Sequence, residues 1–91
     1  MGRLKPELTN RVAAARIDAG LTQEQLAEAA DVSRQTIVAI ERGDYSPSTV
    51  LALRLAHVLG GSVEGLFSLT NGAASELARR RQRLASSRGG R

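Results

Sequence analysis

A chain of 91 residues is enough for one small domain, near the size at which a single hydrophobic core holds without staples. It has no Cys, which excludes a disulfide framework and a thiolate metal site, and its single Phe, single Tyr and missing Trp leave Ala, Leu, Val and Ile to build a core of closely packed small helices. The net charge of +4 suggests a nucleic-acid partner, yet residues 1–71 carry seven Lys or Arg against eight Asp or Glu, and the excess base (Arg79, Arg80, Arg81, Arg83, Arg88 and Arg91 against Glu76) lies in the tail.

The start, MGRLKPELTN, lacks the apolar run of a signal peptide, and nowhere is there enough uninterrupted apolar sequence to span a bilayer, so a cytoplasmic location is expected. Helical punctuation then dominates, and no segment alternates with the period of a strand over a useful length. A first helix is predicted from Pro6 or Glu7 to Ala19, with Leu8, Val12, Ala15 and Ala19 on one face and Gly20 as its stop. Thr22 with Gln25 three residues later forms a capping box for a second, short helix that buries Leu26 and Ala30. Asp31 and Val32 form the connection. Ser33 caps a third helix carrying Ile37 and Ile40 inward and ending at Gly43.

In the polar link DYSPS, Pro47 suits a first-turn position of a fourth helix, which runs to about Leu59 with Leu51, Leu55, Val58 and Leu59 on its buried stripe. Gly60 and Gly61 stop it. Ser62 caps a single-turn fifth helix whose Val63, Leu66 and Phe67 close the core, and SLT can extend into a short strand. Beyond it, TNGAAS reads as a linker, ELARRRQRLA as helix-capable, and SSRGGR as disordered. Residues 1–70 are thus one domain and residues 71–91 a basic tail, partly helical or disordered.

The spacing in the middle of the chain carries the function. Two short helices joined by about three residues make a helix-turn-helix. Leu26, Ala27, Ala30, Val32, Ile37 and Ile40 fall where the two helices cross, with Ala27 small enough for close approach. Arg34, Gln35 and part of Thr36 must then project outward at the N-terminal end of the second of the pair, the end that meets base edges in the major groove.

Over roughly Leu8 to Leu69, including GLTQEQLAEAADVSRQTIVAIERGDYSPS and LALRLAHVLGGSVEGLFSL, the chain resembles the Cro and lambda-repressor type of helix-turn-helix regulator, the XRE family. The resemblance implies an all-α, compact five-helix lambda-repressor-like domain that works as a homodimer on palindromic double-stranded DNA. It implies neither catalysis nor a cofactor for the domain.

Arg34 can take guanine O6 and N7 together, or serve a phosphate; Gln35 can pair with adenine, or simply be solvated. Ser33 is a cap before it is a base contact, Thr36 offers a methyl and a hydroxyl, and Ala39, one turn on, can make only apolar contacts. The resemblance assigns phosphate to Gln23, at the N-terminus of the second helix, and to Arg42, Ser46, Ser48 and Thr49 in and around the link, any one of which can instead cap or solvate. It also pairs Arg16 with Glu41 as a structural ion pair, with Arg16 still able to reach a phosphate. Asp31 departs from the family, whose turn often has Gly there; Asp tolerates left-handed backbone better than most, so the turn survives but is less relaxed.

A domain this small makes few contacts, so a dimer is expected, with Leu66, Phe67 and Leu69 as its contact region or as a cap on the monomer's own core. His57, off the buried stripe, has no neighbours for a metal site, and no catalytic constellation or glycine-rich phosphate loop is present. A repressor is the leading reading. The alternative is an antitoxin-like or accessory interaction module whose tail binds a protein partner; the same tail can instead be a basic arm on DNA phosphates.

Overall fold

The computed structural model describes residues 7–89, which form six helices and a two-stranded antiparallel ribbon. In chain order these are β1 (Leu8–Asn10), α1 (Val12–Asp18), α2 (Gln23–Ala30), α3 (Arg34–Arg42), α4 (Thr49–Leu59), α5 (Val63–Leu66), β2 (Phe67–Leu69) and α6 (Asn71–Gly89). The fold is mostly helical, as expected, with a short strand reaching into SLT and a helix through ELARRRQRLA; it departs from expectation in having six helices where five were expected and in β1, which stands where the first helix was to begin.

The ribbon replaces the first turns of the expected first helix. Leu8 faces Leu69, Thr9 faces Ser68 and Asn10 faces Phe67. The Thr9 and Ser68 hydroxyls pair at 2.9 Å, and the ladder continues at both ends as Arg11 N–H donates to the Leu66 carbonyl and Thr70 N–H to that of Glu7. Asn10 explains why the helix starts late. Its Oδ1 accepts from Val12 N–H while its Nδ2 donates 2.9 Å to the Ile40 carbonyl, so one side chain starts α1 and ties it to the end of α3. Pro6, the other expected start, lies outside the described residues. Ala19, expected on the apolar face, is exposed beyond the helix end.

The other helices begin and end as their punctuation predicts. Thr22 and Gln25 form the reciprocal capping box, and Ser33, Ser48 and Ser62 each accept from the backbone three residues on. Because Ser48 is the cap, Pro47 precedes α4 instead of occupying its first turn. Asp31 is the one non-glycine with positive φ among the described residues (φ 62, ψ 47), so the left-handed turn between α2 and α3 is carried by an aspartate.

The core lies where α2 and α3 cross beneath α4. Leu26, Ala27, Ala30, Ile37, Ile40 and Leu55 are buried together in one cluster. Along α4 the buried stripe is Leu51, Ala52, Leu55 and Ala56, with Val58 and Leu59 only half-buried. Val12, Leu66 and Phe67 close the other side of the core.

The expected linker TNGAAS is also corrected. The Thr70 hydroxyl accepts from Ala73 N–H, starting α6 directly after β2. This helix continues through residues expected to be disordered as far as Gly89, with Gly90 and Arg91 outside the described residues. Glu76 bridges Arg79 and Arg80 one turn ahead, the charge spacing that supports an exposed helix.

Candidate nucleic-acid interface

Burial of Ile37 and Ile40 fixes the rotation of α3, and the side opposite them is the candidate interface. Arg34, Gln35, Val38, Ala39, Arg42 and Asp44 line a shallow concavity of about 240 Å³ on that side. Arg34, Val38 and Arg42 are spaced four residues apart and form one row, with Gln35 and Ala39 beside it. Arg34, Gln35 and Arg42 are exposed, while Val38 and Ala39 are half-buried between them. This arrangement puts long polar side chains around a shallow apolar floor, with a cation at each end.

Ser33 and Thr36 are placed differently from this row. Ser33 Oγ accepts from Thr36 N–H at 3.1 Å and pairs with the Thr36 hydroxyl at 3.0 Å, so both are engaged in capping α3. Ser33 caps α3, as its position predicts.

A hydrogen-bonded chain links the row to the interior. Arg16 Nε donates to Glu41 Oε2 at 2.7 Å, its Nη2 donates to Oε1 at 3.3 Å, and its Nη1 donates to the Leu21 carbonyl at 2.9 Å. Side-chain exposures of 15% for Arg16 and 7% for Glu41 make this a buried, two-point pair, quite unlike a surface salt bridge. Glu41 Oε1 also accepts from Gln23 Nε2 at 3.0 Å, and Gln23 Oε1 accepts from Arg34 Nη2 at 3.1 Å. Gln23 thus holds the first side chain of α3 while itself held by a fixed carboxylate. All three donor nitrogens of Arg16 are turned toward protein acceptors.

The remaining candidates are dispersed around the link. Ser48 Oγ accepts from Leu51 N–H and serves as the α4 cap, Ser46 and Thr49 are exposed on either side of it, and Gln23 occupies the first turn of α2, whose leading amides have no partners within the helix. Leu66 and Phe67 are buried in the chain's own core, whereas Leu69 is 43% exposed beside Leu8 and Tyr45. His57 is exposed, its Nδ1 within 2.9 Å of the Leu53 carbonyl one turn back. Among the described residues no group of acidic, His or Cys side chains is arranged to hold a metal ion.

Sequence reasoning missed Val38 and Asp44 on this face. The signal for Val38 was present as the four-residue spacing from Arg34 and to Arg42; Asp44 comes from beyond the helix, where the turn after Gly43 brings it round.

The helix-turn-helix family profile matches residues 12–66, more than half of the chain. The chain belongs to the helix-turn-helix family, in its Cro and lambda-repressor (XRE) branch. As a member it is a DNA-binding transcriptional regulator and not an enzyme. An uncharacterized helix-turn-helix transcriptional regulator from Methanothermobacter thermautotrophicus is 52% identical over 60 residues, covering 65% of this chain and 87% of its own length. The uncharacterized regulator YgzD of Bacillus subtilis is 42% identical over 62 residues, 68% of this chain and 94% of that one. Among solved structures, the clp gene regulator ClgR of Corynebacterium glutamicum is similar at a TM-score of 0.56 and 30% identity, covering 84% of this chain and 80% of the other. Within the helix-turn-helix pair α3 is the second helix, and the row that starts at Arg34 lies on its side away from the core.

Proposed function

We propose that this regulator represses transcription by occupying a palindromic operator as a homodimer, with α3 of each copy in the major groove. The observation that carries this reading is the Arg34, Val38, Arg42 row with Gln35 and Ala39 beside it, a polar and apolar face set opposite the buried Ile37 and Ile40. Arg34 and Gln35 take base edges by two-point hydrogen bonds, and Ala39 contributes an apolar contact. Arg42, Ser46 and Thr49 take backbone phosphates, joined by Gln23 and the free amides at the start of α2. Ser33, Thr36 and Ser48 act chiefly as caps, and Arg16 acts through Glu41. Two half-sites about 34 to 36 Å apart would place both α3 helices on one side of the duplex.

The exposure of Leu69, next to Leu8 and Tyr45, supports a contact between copies centred on Leu69, with Leu66 and Phe67 shaping its base from within the core. In α6, Glu76 engages Arg79 and Arg80, leaving Arg81 and Arg83 outside those pairs and available to phosphate oxygens. A cytoplasmic place beside the nucleoid follows from this reading, and no helix among the described residues is long and apolar enough to cross a membrane. A second reading, a protein partner for α6, draws on the exposure of Leu77 and Leu84, seven residues apart on that helix.

Selection of bound duplexes from a randomised pool by the full chain tests the proposal. Enrichment of a two-fold symmetric motif is expected; binding that vanishes with salt and enriches nothing would contradict it. If α6 instead serves a protein, Arg81→Gln with Arg83→Gln will leave DNA affinity and its salt dependence unchanged.

A further inference from the structure

Val38 is an apolar residue in the middle of the outward row of α3. It is β-branched, a type that loses side-chain freedom in a helix, and it lies on the outward side of a nine-residue helix whose inward contacts are already made by Ile37 and Ile40. Other partly buried apolar side chains, such as Leu21 and Val32, pack against the core; Val38 does not. Its partial burial comes from its setting in the concavity, between Arg34 one turn before it and Arg42 one turn after it. The result is a branched apolar surface at the centre of a charged, solvent-facing row.

Among the groups that the major groove presents, the hydrogen-bonding edges have no use for such a surface. The C5-methyl group of a pyrimidine does: it is the apolar feature of the groove, and burying it against Val38 removes two exposed apolar surfaces from water together. We infer that Val38 reads a pyrimidine C5-methyl group, in thymine or in 5-methylcytosine, near the base pair that Arg34 addresses. One helical turn is about 5.4 Å and one base-pair step about 3.4 Å, so the methyl lies roughly one or two base pairs from the Arg34 contact. Ala39, on the neighbouring row, has too little apolar surface to do the same alone. This assignment rests on the reading of α3 as the groove-entering helix, and it adds to that reading a sensitivity to base methylation centred on Val38.

The test uses the full chain and the half-site obtained by selection. Each thymine in the half-site is replaced singly by deoxyuridine, each cytosine singly by 5-methylcytosine, and affinities are measured by fluorescence anisotropy at one fixed salt concentration. At one position, equivalent in the two half-sites, loss of the thymine methyl should weaken wild-type binding about fourfold for each methyl removed, the effect of one apolar carbon group. If cytosine stands there instead, its methylation should strengthen binding by a similar factor, and these two arms distinguish the source of the methyl. Val38→Ala should keep its thermal melting profile and lose the methyl effect, binding methylated and unmethylated sites alike. An equal methyl effect in Val38→Ala, or its loss in Ala39→Gly but not in Val38→Ala, overturns the assignment, as does a wild-type protein indifferent to every methyl group. Those outcomes leave specific binding intact and so sink only the role of Val38; a chain that selects no sequence at all sinks this inference and the operator reading together.

Discussion

Glu41 accepts hydrogen bonds from Arg16 through both carboxylate oxygens and from Gln23 through one, and its side chain is almost fully buried. Removing that carboxylate leaves a guanidinium of 15% exposure without its counter-charge, the situation in which a buried pair becomes costly. Glu41→Ala is therefore expected to lower stability by about 3 kcal/mol in urea unfolding. It should also free Gln23 and weaken binding to a specific site more than to a scrambled duplex, because Arg34 is held through Gln23. At this scale the sequence was informative wherever one residue type has one strong local habit. Ser33 and Thr22 cap as their spacing predicts, and Asp31 takes the left-handed turn. The Arg16–Glu41 pair joins residues 25 apart and was legible only through the family resemblance; the bond from Arg34 to Gln23 was not legible at all, since it depends on how two side chains meet across the turn.

Among the elements, the turn between α2 and α3 carries a cost that can be removed. Asp31 sits at φ 62 and places a negative charge at the C-terminal end of α2, where the helix dipole disfavours it. Asp31→Gly relieves both effects, offset in part by the greater freedom of glycine in the unfolded chain, and should raise stability by about 1 kcal/mol in thermal or urea unfolding. In α6 the Arg79 hydrogen bond and charge, with a smaller contribution from Arg80, hold the Glu76 carboxyl below its ordinary value. A carboxyl lowered in the folded state supports the helix fully above the ordinary carboxylate range and loses that support as pH falls through the lowered value. Protection of the α6 amides, measured against their intrinsic exchange rates at each pH, should accordingly fall as Glu76 protonates, modestly because the pair is exposed, and Glu76→Gln should remove that change in protection. Short apolar runs explain the two misread elements. Leu8 fits a helical face as well as a strand, and what decides is a partner strand almost sixty residues away together with the Asn10 side chain that starts α1 late. TNGAAS reads as a linker because of Asn and Gly, but Thr70 caps it and the alanines propagate it.

Across the whole molecule, the basic excess lies in residues 72–91, and residues 1–71 carry slightly more acid than base. In the proposed arm, the arginines of α6 would add affinity without sequence information, since phosphates are the same at every site. Arg81→Gln with Arg83→Gln should reduce the slope of log affinity against log salt by about 0.9 for each phosphate no longer neutralised, at specific and scrambled sites alike. The helix-turn-helix frame was legible because its crossing is written in closely spaced small and apolar residues from Leu26 to Ile40, all local in the chain. The attachment of α6 to the ribbon was not, because the ribbon itself is a long-range pairing.

Whether the outward face of α3 reads base sequence, as proposed, is decided by comparing wild type, Arg34→Ala and Gln35→Ala on the selected operator and on a scrambled duplex of equal length, at the same salt concentration. Each substitution is expected to lower affinity for the operator by roughly 1 to 3 kcal/mol and to leave affinity for the scrambled duplex nearly unchanged. Equal losses on both duplexes would contradict that role, showing that these side chains hold the backbone and that sequence is read elsewhere.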